Sequence, residues 1–263
     1  MKLTNFYLKK LYFDCIDEEG NCFIVYWAVL KFSLLKINYS GVLFSNARNE
    51  CIERSSLRKM PEPAVNRKIH FNQPSLQITG EWSNTDTPIV KLLYKDQYGK
   101  ELFWNCHHPK AYAKIEFNHQ IFQGFGYAET LSLPIKPWKL PIDELRWGRF
   151  LSKEITIIWI NWKGKYPVNE LIYNGISFKD AVFEKNKITF DRGRANLSFQ
   201  EISIVRKGKL SGLLVKMPWL KMIFNNKILN TQENKYKSPS IFTRDSKELA
   251  RGWSLYEVVT WVK

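Results

Sequence analysis

Residues 124–150 read GFGYAETLSLPIKPWKLPIDELRWGRF. Two tight clusters, Gly124-Phe125-Gly126-Tyr127-Ala128-Glu129 and Leu145-Arg146-Trp147-Gly148-Arg149-Phe150, are joined by a segment holding three prolines. Proline lacks a backbone N–H and has a fixed φ, so this joint can be neither helix nor central strand. It lies near the middle of 263 residues. The stretch therefore reads as the seam between two halves, with polar groups set among aromatics and glycines.

Outward from the seam, both flanks are strand-like. Aromatic residues make up 15% of the chain, with 10 Trp, 12 Tyr and 17 Phe, a composition that favours pleated sheet over helix. On the N-terminal side, Leu11-Tyr12-Phe13-Asp14 runs through Asp17-Glu18-Glu19-Gly20-Asn21 into an apolar run at 22–30, the pattern of a hairpin. Further strand-like runs are expected at 34–44, 68–71, 75–82, 89–94, 102–104 and 112–117. Residues 46–66 read as a loop over one end of the sheet. On the C-terminal side, strands are expected at 155–162, 170–173, 187–190, 196–205 and 213–217, with turns at Asn174-Gly175 and Asp191-Arg192-Gly193. Residues 225–240 read as a polar loop. Turns about every ten residues are the spacing of an all-β sandwich or barrel.

The halves rhyme. Gly126-Tyr127 followed by Glu129 closes the first, Gly252-Trp253 followed by Glu257 closes the second, and each half has an early strand carrying a Trp, Trp27 or Trp159. Two barrel-like domains of similar size follow, 1–135 and 136–263.

Charge and cysteine content narrow the function classes. The formal net charge is +15, but Lys is scattered through every segment. There is no zinc-finger spacing or helix-turn-helix pattern, so nucleic acid is not the expected partner. Weak attraction to an anionic membrane surface is compatible with the charge. Cys15, Cys22, Cys51 and Cys106 show no C-x-x-C spacing and the N-terminal residues lack a signal-peptide pattern, so a reduced, cytoplasmic protein is expected. Cys106-His107-His108 invites a metal site, but neighbouring strand residues point to opposite faces. No metal or cofactor is expected. A nucleophile-elbow G-x-S-x-G is absent.

Tyr12-Phe13-Asp14 with Asp17-x-x-Gly20-Asn21, Gly124-x-Gly126-Tyr127-x-Glu129, the cluster at 145–149 and terminal Gly252-Trp253 together resemble the hydroxyneurosporene synthase, or carotenoid 1,2-hydratase, superfamily. That grouping includes the AttH-like proteins and is related to lipocalin-like Diels–Alderases. The resemblance implies two tandem lipocalin-like (calycin) barrels or sandwiches packed side by side, with an apolar pocket for a hydrophobic small molecule such as an isoprenoid, carotenoid or polyketide-like compound. It places an acidic residue at Glu129 and another near the pocket at Asp14.

The residues allow a chemistry to be stated. Protonating an alkene needs a carboxylic acid kept neutral, and an apolar pocket achieves this by desolvation. Glu129, set among Phe125, Tyr127 and Trp138, is the expected acid, with Tyr127 beside it and Asp14 as a second carboxyl. Trp147, Trp159, Tyr26 and Trp253 are candidate aromatic walls for a cation. Arg146 and Arg149 are candidates for gripping a carboxylate or phosphate head group. Each has a plainer alternative. Glu129 pairs with Arg146 or Arg149, the two arginines make ion pairs between halves, Trp147 is core, and Asp14 caps the following turn. The chain is thus an enzyme performing hydration, isomerisation or cyclisation, or a carrier with the same pocket.

Overall fold

The computed structural model describes residues 6–209 and 226–261. The fold is all-β and forms two compact units, 1–136 and 137–263, each with its own antiparallel sheet and its own core. The expected strand at 213–217 lies outside the described residues. No described helix is long and apolar enough to cross a membrane.

The first unit contains β1 (Phe6–Asp17), β2 (Cys22–Phe32), β3 (Leu35–Ser45), β4 (Cys51–Ser56), β5 (Lys68–Gln73), β6 (Ile78–Asn84), β7 (Ile89–Lys95), β8 (Glu101–Phe117) and β9 (Gln120–Leu133). Their order in the sheet is β4-β3-β2-β1-β9-β8-β6-β5, with β7 added beside β8. The first strand thus pairs with the last, and alternate residues of the curled sheet fill one interior. Leu11, Phe13 and Cys15 of β1, Phe23 and Val25 of β2, Phe71 of β5, Trp82 of β6 and Ala128 of β9 share that core. The β1–β2 turn follows its sequence: Asp17 accepts from the Asn21 backbone and side chain, each at 2.8 Å, and Gly20 takes φ 87°.

The second unit contains β10 (Ile142–Leu151), β11 (Thr156–Gly164), β12 (Val168–Tyr173), β13 (Ile176–Phe178), β14 (Val182–Phe183), β15 (Lys187–Phe190), β16 (Ala195–Phe199) and β17 (Ser203–Lys209). A short helix α1 (Asn226–Leu229), β18 (Gln232–Arg244) and β19 (Lys247–Thr260) follow. The order β13-β12-β11-β10-β19-β18-β16-β15-β14, with β17 beside β18, repeats that of the first unit with one strand more, β14, at the edge. Its core gathers Phe150, Ile157, Trp159, Leu171, Phe190, Leu197 and Phe242.

Four sequence expectations are corrected. Residues 102–104 and 112–117 belong to one 17-residue strand, β8, which makes two register shifts against β9 between Cys106 and Ala111. Leu102, Trp104 and Cys106 occupy one face and Ala111, Ala113 and Ile115 the other, so the buried set passes from even to odd positions as burial passes from one face to the other; Pro109 sits in the irregularity, where a missing N–H is tolerated. Residues 46–66 include an edge strand, β4. Residues 196–205 form parts of two strands, β16 and β17. Most of the expected loop 225–240 is β18, in which Lys235 and Ser240 are paired within the sheet.

The rhyme between halves falls on equivalent strands but shifted by two residues. A Cβ on Gly124 would lie 2.1 Å from the Ile16 carbonyl oxygen, and one on Gly252 2.2 Å from that of Leu151. Gly252 therefore corresponds to Gly124, which puts Glu257 at the position of Glu129.

Candidate functional site

In β1 and β9 the residues opposite to the core set point to the other face of the first sheet. There Tyr26, Tyr12, Glu129 and Cys106 form one continuous cross-strand row over β2, β1, β9 and β8. Asp14 and Tyr127 face each other in the next row. Glu129 is 4% exposed and Asp14 is fully buried; Ile24, Leu43, Leu102 and Leu133 are buried apolar residues of the same sheet.

Glu129 Oε2 meets two donors. Its Oε2 accepts from the Trp104 indole Nε1–H at 2.6 Å and from the Tyr127 hydroxyl at 2.5 Å. Tyr127 keeps its proton: burial pushes its phenol well above the ordinary range, and the neighbouring Cys106 and Glu129 push it further. Burial likewise raises the Cys106 thiol well above 9, with the Glu129 and Asp14 carboxyls adding to it while a Tyr127 contact opposes. Tyr12 meets Tyr127 edge-on at 6.0 Å and Tyr26 at 5.6 Å, and Lys10 Nζ sits 5.5 Å from the Tyr26 ring centroid. The arrangement offers a buried carboxyl beside protonated donors, with aromatic faces along the row.

The expected residues separate into three groups. Glu129, Tyr127, Asp14 and Tyr26 come together on this face. Asp14 is an interior strand residue, and the turn-capping role considered for it belongs to Asp17. In the second unit, Trp147 and Glu257 are cross-strand partners, and Arg149 donates from Nη1 to the Trp253 carbonyl at 2.9 Å. Arg146 and Trp159 take the opposite face of that sheet. Arg146 Nε pairs with Glu144 at 2.9 Å and its Nη1 reaches the Phe183 carbonyl at 2.9 Å, while Trp159 is core beneath Gly148. Phe125, expected beside Glu129, packs on Tyr112 instead.

Sequence reasoning missed Trp104 as the partner of Glu129. The signal was present only as a Trp two residues before Cys106 in a strand-like run, and the pairing across 25 residues depends on sheet register. It also missed what the two histidines do. His107 Nε2 bonds Thr130 Oγ1 at 2.8 Å and His108 Nε2 the Asn66 carbonyl at 2.8 Å. Among the described residues no group of three or more His, Cys, Asp or Glu side chains is placed to hold a metal.

No family model matches the sequence, and no curated protein matches it. Solved structures do match in fold. CghA, solved with Sch210972, aligns with a TM-score of 0.59 at 10% identity, over 97% of this chain and 89% of that one. An AttH-like protein from Nitrosomonas europaea gives 0.57 at 8%, over 99% and 94%. The chain has the AttH-like fold. Kievitone hydratase from Nectria haematococca shares it, at 0.55 and 9% identity, over 98% of this chain and 89% of that one. The resemblance read from the sequence is thus borne out for the fold, and with it two lipocalin-like units.

Proposed function

We propose that this protein binds an apolar small molecule, of isoprenoid, carotenoid or polyketide-like character, and transforms it by proton transfer at Glu129. The observation that carries this reading is the buried Glu129 carboxyl whose Oε2 is met by two neutral donors, Trp104 and Tyr127. Burial opposes the charged form and the two donors stabilise it, and general acid–base work by a carboxyl uses both forms. In the acid direction, the carboxyl O–H breaks as a C–H bond forms at one alkene carbon, leaving a cation on its neighbour. Water adds to that cation and its proton returns to the carboxylate, giving a hydrate. Loss of an adjacent proton instead gives an isomer, and capture by a second double bond followed by proton loss gives a ring. The edge-on tyrosines of the row would stabilise a cation. Two proteins of this fold have names that bear on the reading: a hydratase, and CghA with its small-molecule ligand.

The test is native mass spectrometry and organic extraction of wild type and Glu129→Gln after exposure to lysate of the protein's own host. Wild type is expected to release a product while Glu129→Gln retains a chemically distinct precursor. The same unchanged lipophile in both would make the protein a carrier, and nothing in either would overturn the binding reading.

A further inference from the structure

The inner face of the second sheet changes character toward one end of the barrel. Ile157, Phe150, Ser254 and Ser238 form a cross-strand row that is wholly buried. Two residues along each strand the row is Trp159, Gly148, Tyr256 and Tyr236, and two further along it is Asn161, Arg146, Val258 and Asn234, continued by Asn169 of β12. This last row shares the face of the core, yet all five of its residues are part-exposed, so the interior meets solvent here. Beneath it the Tyr236 and Tyr256 rings stack at 5.1 Å, and Tyr256 stacks on Phe199 at 4.8 Å.

The first unit is closed at the equivalent place. With Gly124 matched to Gly252, Leu11 takes the position of Arg146, Trp27 that of Asn161 and Ser40 that of Asn169, and all three are buried. Residues 57–67, which link the two end strands of that sheet, cover them: Met60 and Val65 pack on the core, and the Trp27 indole donates to the Met60 carbonyl at 3.2 Å. In the second unit the link between the end strands β13 and β14 is residues 179–181 alone, held by the Asn169 amide, which donates to the Lys179 and Ala181 carbonyls at 3.0 and 2.9 Å. The fold therefore accepts an apolar, covered row at this position, and the polar, open one of the second unit calls for another reason. Its amides are poorly served by the protein. Asn234 Oδ1 is buried with no hydrogen-bond partner among the described residues, and Asn161 Nδ2 lies 3.5 Å from both the Val168 carbonyl and Asn169 Oδ1, at the outer limit of a hydrogen bond. The Arg146 charge is offset by Glu144 at 2.9 Å, which also takes Lys163 at 3.0 Å, so the row suits a neutral ligand better than an anion.

We infer that this end of the second barrel binds a neutral polyhydroxylated ring, a sugar or the glycosyl part of a larger molecule, with its hydroxyls on the Asn161 and Asn234 amides and its C–H face toward the tyrosine rings. A hydroxyl and a carboxamide each donate and accept, so they pair in either sense, and the C–H face of such a ring is apolar as an aromatic face is. The site lies within one unit and is independent of the reading of Glu129.

The test is calorimetric titration of the full chain with the methyl glycosides of glucose, galactose and mannose at millimolar concentration, beside methyl glucuronide as the anionic counterpart. Wild type is expected to bind at least one neutral glycoside. Asn234→Leu removes an amide whose oxygen has no partner in the fold, and it should weaken that binding about tenfold, the worth of one hydrogen bond. If this variant does not fold, wild type labelled with 15N at asparagine side chains decides, because at least two amide resonances should shift as the bound glycoside is added. No binding of any neutral glycoside, equal binding by a folded Asn234→Leu, unmoved asparagine amides, or preference for the glucuronide would each overturn the inference.

Discussion

Gly126 shows how little room surrounds the site at the level of single residues. A Cβ there would lie 2.4 Å from the Asp14 carbonyl oxygen and 2.9 Å from both Ala113 Cβ and Trp82 Cδ1. Neither backbone nor a buried indole can yield cheaply, so Gly126→Ala should lower unfolding stability by about 1 to 3 kcal/mol or more. Gly208→Ala, which meets nothing within 4 Å, should stay within about 0.5 kcal/mol in the same urea titration. What Gly126 accommodates, the Trp82 indole donating to the Asp14 carbonyl at 2.7 Å, was not legible in the sequence, because 68 residues separate the partners.

His107 and His108 make a second prediction at this scale. Burial holds both below the ordinary value of 6.5, and for His107 the charge of its neighbour adds to this. His108 Nε2 faces a carbonyl oxygen and so carries the proton, while its buried Nδ1 has no partner for a second one. The unfolded chain therefore takes up protons more readily than the folded one. Stability is intact above about pH 6.5 and is lost as pH falls through that value toward the lower folded values. The urea midpoint should drop between pH 7 and 5.5, and His108→Gln should flatten that dependence.

At the scale of elements, β8 is decisive. The two-residue alternation expected of a strand holds on either side of residues 107–110, but the buried positions are even before it and odd after it because the buried face changes, so each half was readable and their continuity was not. In β18 the legibility failed for a different reason. Lys235 pairs with Glu233 at 3.2 Å and with Glu257, and Ser240 donates to Ser254 at 2.8 Å, so its buried positions carry polar side chains that periodicity assigns to a loop. Glu129 and Tyr127 were legible as a site because they are neighbours in sequence; Trp104 was not, because only register brings it there.

At the scale of the whole molecule, two units with one strand order hold a glutamate at the same place. Glu129 in the first unit accepts from Trp104 and Tyr127, and Glu257 in the second is paired with Lys235, itself 3% exposed. Glu257→Gln takes one of two carboxylates from the buried Lys235 ammonium, leaving Glu233, and should cost about 1 to 3 kcal/mol in denaturant unfolding. The shared order also bears on how the chain is made. β1 pairs with β9 and β10 with β19, so each sheet is closed by its earliest and latest strands. On a ribosome, β1 must wait for more than a hundred further residues before its second neighbour emerges, a long interval with an open strand edge. Once β9 is out, the first sheet can close while the strands of the second unit have yet to emerge. Chaperone dependence should accordingly be concentrated in two windows of synthesis, each ending as a closing strand leaves the exit tunnel.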